Sequence, residues 1–223
     1  ATRGVGAGRQ DIMGMRDTGW IQLEAESCQE ILDSILIAYR LAEDSQVLAP
    51  VAVCYDGFYL SHLSERVEIP EPKEADAFLA PLKNSDRPRL IPGGTLGFGM
   101  GYTEKRFAEF RYKGCLAYER AKKKLEEIDS EFKGRFGRSY GGTVDAYRTE
   151  DAEILLVTAG SCAGTVRVVV DQCRKEGMKV GLARIRMFRR DPGLSTAKRR
   201  GNAKTREAKE AAALMGFIIP AGQ

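Results

Sequence analysis

The sequence predicts an α/β fold, and two stretches of the chain carry that prediction. From Trp20 to Tyr55 a short strand, an amphipathic helix and a nearly continuous apolar run follow one another. From Asp151 to Met187 the pattern returns as EILLVTAGS, AGTVRVVVDQCRKEG and KVGLARIRM. Strand–helix–strand order implies parallel strands joined by right-handed crossovers. Ligands of such sheets sit beyond the carboxyl ends of the strands, so the turns that leave those ends are where function is sought.

Each element has its own signal. Residues 1–19 are rich in Gly and Arg without apolar periodicity and read as loop. Glycines 4, 6 and 8 permit close backbone approach, but no strand precedes them, so a dinucleotide fingerprint fails on context. Trp20 to Glu24 is a short strand. Glu26 to Asp44 carries apolar residues at 28, 31, 32, 35, 36 and 39, the spacing of an amphipathic helix. Ser27 is its expected N-cap, with Glu30 completing a capping box. Val47 to Tyr55 has the length and β-branched content of a buried parallel strand.

Asp56-Gly57-Phe58 and Ser61-His62 lie just past that strand's end. His62 is the only histidine and could carry a proton near neutral pH. The plainer alternative is that His62 and Asp56 fix the turn by hydrogen bonds.

From Glu68 to Gly101 the chain changes character, with prolines at 70, 72, 81, 88 and 92 and a closing GGTLGFGMG, and reads as a long extended connection. Tyr102 to Phe136 returns to helical spacing. Leu116, Leu125, Ile128 and Phe132 mark its packed face, pairs such as Glu119–Lys123 mark a solvated one, and Gly134 and Gly137 stop it. In the second unit the amides of Gly160-Ser161 and Gly164 open a helix, a place where anions can bind. The tail holds a helix-like AKTREAKEAAALMGF, and no third strand of adequate length follows to complete the second sheet.

Composition narrows the class. At 223 residues the chain suits one large domain or two small ones. It has no apolar run of about 18 residues, as a membrane span needs. The start, ATRGVGAGRQD, lacks the apolar core of a secretory signal, so a cytoplasmic setting is expected. Cys28, Cys54, Cys115, Cys162 and Cys173 are scattered without a C-x-x-C pair, so no iron–sulfur cluster, structural zinc or disulfide framework is expected in this chain. Eight basic against three acidic residues between Phe188 and Gln223 give the tail a net +5 and leave the body near neutral. Such a tail could touch an acidic partner, but the body shows no nucleic-acid recognition module and nucleic acid is not an expected partner.

Taken in series, the motifs RQDIMGMRDTGWIQLEAESCQEILDSILIAYRLAED, VLAPVAVCYDGFYLSHLSERVEIP, GGTLGFG, GRFGRSY, YRTEDAEILLVTAGSCAGTVRVVV and EGMKVGLARIRMFR resemble the alpha subunit of the thiamine-diphosphate-dependent 2-oxoacid:ferredoxin oxidoreductases, the pyruvate enzymes above all. The resemblance covers about residues 1–189. It implies that residues 1–70 are the C-terminal part of a thiamine-diphosphate-type pyrimidine domain. An extended linker and long helix would occupy 71–145, residues 146–190 would begin a transketolase C-terminal-like α/β domain, and 191–223 would be a divergent basic tail.

The resemblance also implies oxidative decarboxylation of a 2-oxoacid. Electrons would pass through [4Fe–4S] clusters to ferredoxin, and coenzyme A would take the acyl group. Thiamine diphosphate, Mg2+ and the clusters would be held mainly by other subunits: a thiamine-binding beta subunit and gamma- and delta-type subunits. Arg3 falls where the family places an arginine that pairs with the substrate carboxylate, with Arg9 as its rival, and the loop between Arg3 and Asp11 is short. A short loop suits oxalate or a branched 2-oxoacid as well as pyruvate. The family's Y-P-I-T-P loop and the glutamate that activates the thiamine ring precede the stretch matched here, so the chain is expected to be a fragment, a split gene product or a piece with a shifted end. A non-catalytic scaffold is the competing expectation.

Overall fold

Alternating side chains on one short strand organise the first half of the molecule. In the computed structural model, which describes residues 8–79, 104–188 and 219–220, strand β1 (Ile21–Glu24) is buried on both faces. Ile21 and Leu23 point into an apolar core, as the two-residue period of a strand requires. Gln22 and Glu24 point the other way, where Gln22 Nε2 donates to the Ile12 carbonyl at 2.9 Å and Glu24 meets Arg9. The short helix α1 (Gln10–Gly14) therefore covers the polar face of β1, within a stretch expected to be loop throughout.

Helix α2 (Cys28–Ala42) follows, and β2 (Val51–Cys54) returns parallel to β1. Ser27 is the N-cap: its hydroxyl accepts from the Glu30 amide at 3.2 Å. Glu30 in turn accepts from the Glu26 amide at 3.0 Å, one residue earlier than the expected capping box places it. The buried side of α2 is Glu30, Asp33, Ser34, Ile37, Ala38 and Leu41. This corrects the expected stripe, because Ile35 and Tyr39 are exposed.

Within the stretch expected to be extended, Pro72–Leu79 forms helix α3. Its Phe78 is fully buried against Phe132 and Phe136 of the long helix α4 (Glu104–Phe136). The packed face of α4 is Tyr118, Ala121, Leu125, Ile128 and Phe132; Leu116, expected there, is exposed. Lys122 pairs with Glu119 and Lys124 with Glu127 on its outer side, each one turn away.

The second sheet has the order β3-β5-β4-β7. Strand β4 (Ile154–Thr158), helix α5 (Cys162–Lys175) and β5 (Val180–Ile185) are the expected parallel unit. Two strands were not expected: β3 (Val144–Tyr147) lies antiparallel to β5, and the two-residue β7 (Ile219–Pro220) lies antiparallel to β4. A small core of Ala163, Val170, Val180 and Leu182 packs α5 on this sheet. After β5 the chain passes through Arg186 into β6 (Met187–Phe188), which pairs antiparallel with β1. One nearly continuous strand thus runs from the interior of the second sheet to the edge of the first. The tail helix expected at 203–217 and Arg3 lie outside the described residues. Among the described residues no helix is long and apolar enough to cross a membrane.

Candidate functional site at the carboxyl ends of the strands

The carboxyl ends of β1, β2 and β4 converge, and each contributes a polar residue. Glu24 ends β1, Asp56 stands two residues past β2, and Ser161 stands three residues past β4, where α5 begins. Arg9, just ahead of α1, lies between them. Its Nη1 donates to Glu24 Oε2, and its Nη2 donates to Asp56 Oδ1 at 3.2 Å. The other Asp56 oxygen accepts from the Ser161 amide at 2.8 Å and from the Ser161 hydroxyl. The amino end of α5, a place where anions can bind, is thus occupied by the chain's own carboxylate.

Burial shapes the chemistry of this cluster. Glu24 is 1% exposed and Asp56 6%. Burial pushes the Glu24 carboxyl above its ordinary range, against the pull of Arg9. Burial is the strongest single influence and works to lower the Arg9 pKa, but its bond to Glu24 and the charges of Glu24 and Asp56 together more than offset this, and the guanidinium is held charged. Burial raises the nearby Cys54 thiol to about 12, which keeps it protonated and inert. Glu24 Oε1 is buried without a hydrogen-bond partner among the described residues. Cys162, in the first turn of α5, is exposed, with Thr158 Oγ1 2.6 Å from its sulfur.

Gly160 makes the close approach possible. Its φ of +72° lies in the region that favours glycine. A Cβ there would run into the Arg9 guanidinium and stand 3.0 Å from Asp56 Oδ2.

The expected site residues divide. Asp56 is more than a turn residue, because its carboxylate ties the two α/β units together. His62 is exposed and stays in its turn: its Nδ1 lies 2.8 Å from Ser61 Oγ and its ring leans on Phe58. Arg9, the rival for the carboxylate clamp, has both terminal nitrogens engaged by carboxylates of its own chain. Glu24 was missed, although a glutamate closing an alternating strand signalled it. Ser161 was singled out for its amide as a place for an anion, and the anion is the carboxylate of Asp56.

A second polar cluster binds the units farther from these ends. Arg184, 1% exposed, donates to Glu30 at 2.7 Å and to the Tyr140 carbonyl at 3.2 Å. Arg167 of α5 bridges Glu26 and Asp145. Arg138 grips Asp33 through two nitrogens at 2.7 and 3.1 Å, and the Tyr140 hydroxyl donates to the same carboxylate. Burial beside Asp33 pushes the Tyr140 hydroxyl pKa well up.

The residues described do not by themselves fit thiamine diphosphate. The helix end suited to a phosphate already holds Asp56, and the two carboxylates are turned to Arg9 and Ser161. No group of three or more His, Cys, Asp or Glu among the described residues is arranged to hold a metal ion. A groove of about 240 Å³, lined by Gly19, Val47 to Pro50, Phe110 and Tyr118, opens at the opposite, amino ends of β1 and β2.

Two parallel-stranded units whose carboxyl ends meet across Asp56 and Ser161 define an α/β protein of the kind whose ligands sit beyond such strand ends. The family model described as "Pyruvate flavodoxin/ferredoxin oxidoreductase, thiamine diP-bdg" matches residues 4–130. A second, "Pyruvate:ferredoxin oxidoreductase core domain II", matches residues 152–213. The chain therefore belongs to the pyruvate flavodoxin/ferredoxin oxidoreductase family. It is 45% identical to pyruvate synthase subunit PorA of Pyrococcus furiosus over 187 residues, 82% of this chain and 46% of that protein. It is 36% identical to the alpha subunit of the NADH-dependent phenylglyoxylate dehydrogenase of Aromatoleum evansii over 211 residues, 90% and 49% of the two chains. It is 39% identical to ketoisovalerate oxidoreductase subunit VorA of Pyrococcus horikoshii over 186 residues, 82% and 45%. The chain spans somewhat less than half the length of these relatives.

Proposed function

We propose that this chain is an alpha-type part of a thiamine-diphosphate-dependent 2-oxoacid:ferredoxin oxidoreductase, with pyruvate as its substrate. The observation that carries the reading is the pair of family matches, at 4–130 and 152–213, falling in the order of the two α/β units. The complex would oxidatively decarboxylate the 2-oxoacid, pass the electrons to ferredoxin and the acyl group to coenzyme A. Bound thiamine diphosphate would supply the electron sink for that cleavage. Since the described residues here do not cradle it, we assign it, with Mg2+ and the [4Fe–4S] clusters, mainly to partner subunits of beta, gamma and delta type. All five cysteines are free, which suits a reducing compartment such as the cytoplasm.

The role we assign to this chain is substrate positioning. Arg3 would pair with the substrate carboxylate, for which a planar guanidinium is the natural partner. That assignment gains from Arg9, whose two terminal nitrogens already bond to Glu24 and Asp56. In the complex reconstituted with its partner subunits, Arg3→Ala should leave assembly intact and raise KM for pyruvate. A hydrogen bond to a charged group contributes about 1.5–3 kcal/mol, so the rise expected is about ten- to a hundredfold. Unchanged kinetics in the assembled complex reject the role.

A second reading of the substrate rests on the relatives named for ketoisovalerate and phenylglyoxylate, whose similarity to this chain approaches that of the pyruvate synthase subunits. Comparing kcat/KM for pyruvate, a branched 2-oxoacid, phenylglyoxylate and oxalate in the same complex separates the two.

A further inference from the structure

We infer that Arg9 is a positioning residue, a three-way clamp that fixes the stem of the N-terminal segment to both α/β units at once. Its guanidinium joins Glu24 at the end of β1 to Asp56 past β2, and Asp56 passes the connection on to the amide and hydroxyl of Ser161 at the start of α5. Two independent features show that the place is built for it. Gly160 leaves room for the guanidinium that any Cβ would obstruct. Glu24 and Asp56 are both more than nine-tenths buried, and a buried carboxylate without its cation is costly. Gln22, next but one before Glu24, binds the Ile12 carbonyl, so the polar face of β1 holds α1 at a second point.

The consequence rests on the reading of Arg3 given above. Arg3 and Arg9 are six positions apart, so covalent geometry keeps their Cα atoms within about 22 Å whatever path the chain takes. Anchoring Arg9 therefore bounds how far Arg3 can lie from the carboxyl ends of the strands, and both units hold that anchor. Arg9 touches no substrate on this account. It acts through the chain it anchors, and loss of the clamp removes the fixed point from which Arg3 is reached.

The test uses the reconstituted complex with Arg9→Ala, Arg9→Lys and Asp56→Asn, read by amide hydrogen exchange and by steady-state kinetics with pyruvate. The clamp predicts faster exchange at the amides of Ile12 to Met15 and of Ser161 in Arg9→Ala. It also predicts a KM raised about tenfold or more with kcat changed less, since only positioning is lost. Arg9→Lys should recover part of the KM, as one amine can satisfy one of the two carboxylates. Combining Arg9→Ala with Asp56→Asn should add little to either alone. Unchanged exchange in Arg9→Ala overturns the clamp. Faster exchange with unchanged KM, in a complex where Arg3→Ala does raise KM, overturns the positioning role. Faster exchange with KM insensitive to both Arg3 and Arg9 supports the clamp and sinks the reading of Arg3 instead. If Arg9→Ala fails to assemble, Asp56→Asn carries the same exchange prediction at Ser161 with both side chains nearly isosteric.

Discussion

The guanidinium of Arg186 lies wholly out of water between Glu30 of α2 and Asp129 of α4. Its Nη1 donates to Asp129 at 2.8 Å and to the Gly142 carbonyl at 3.3 Å, while Nε faces Glu30 at 3.2 Å. Burial pulls its pKa down, and the two carboxylates only partly restore it, yet arginine remains charged. Such a group holds its place because removing it strands its partners. Arg186→Met should therefore lower stability by about 3–5 kcal/mol, measured by urea unfolding of the chain, because Asp129 is left buried without a cation and Glu30 keeps only Arg184. A loss under about 1 kcal/mol would mean that these carboxylates find water or protons instead. None of this was legible in LARIRM, where an alternating strand suggests that the arginines face solvent. The acidic partners of Arg186 sit more than fifty residues away in sequence, and pairing over that distance leaves no local signal.

At the scale of elements, the helices show what apolar spacing can and cannot do. Helix α2 was legible in extent and in its Ser27 cap, but its buried stripe runs through Glu30 and Asp33 rather than through Ile35 and Tyr39. Counting apolar residues picks the wrong stripe wherever the buried side chains are charged and paired. Helix α3 failed for another reason. Proline was read as a breaker, whereas Pro72 occupies the first helical position, where its missing N–H costs nothing. What holds α3 is Phe78, packed edge-to-face on Phe132 at 5.3 Å and on Phe136 at 5.8 Å. Phe78→Ala should cost about 3–5 kcal/mol, and hydrogen exchange should show α3 opening before α4. Equal protection of the two helices in the variant would contradict that order. Strands β3 and β6, of four and two residues, were too short for any period to register; they exist because β5 and β1 offer them edges.

For the whole molecule, the two α/β units were visible in the sequence but their union was not. They are joined at three places: the strand that runs from β5 through Arg186 into β6, the charged cluster around Glu30, and the carboxyl-end cluster of Arg9, Glu24, Asp56 and Ser161. The carboxyl-end cluster stands where α/β proteins present their ligand zones, and the family match gives that zone its chemical context. We propose that this chain completes the substrate edge of a 2-oxoacid:ferredoxin oxidoreductase assembled from several subunits. The decisive measurement is pyruvate- and coenzyme-A-dependent reduction of ferredoxin by the partner subunits, supplied with thiamine diphosphate and Mg2+, with and without this chain. Reduction should fall to background when the chain is left out and return when it is added back. An unchanged rate in its absence would overturn the proposal and leave the chain a scaffold.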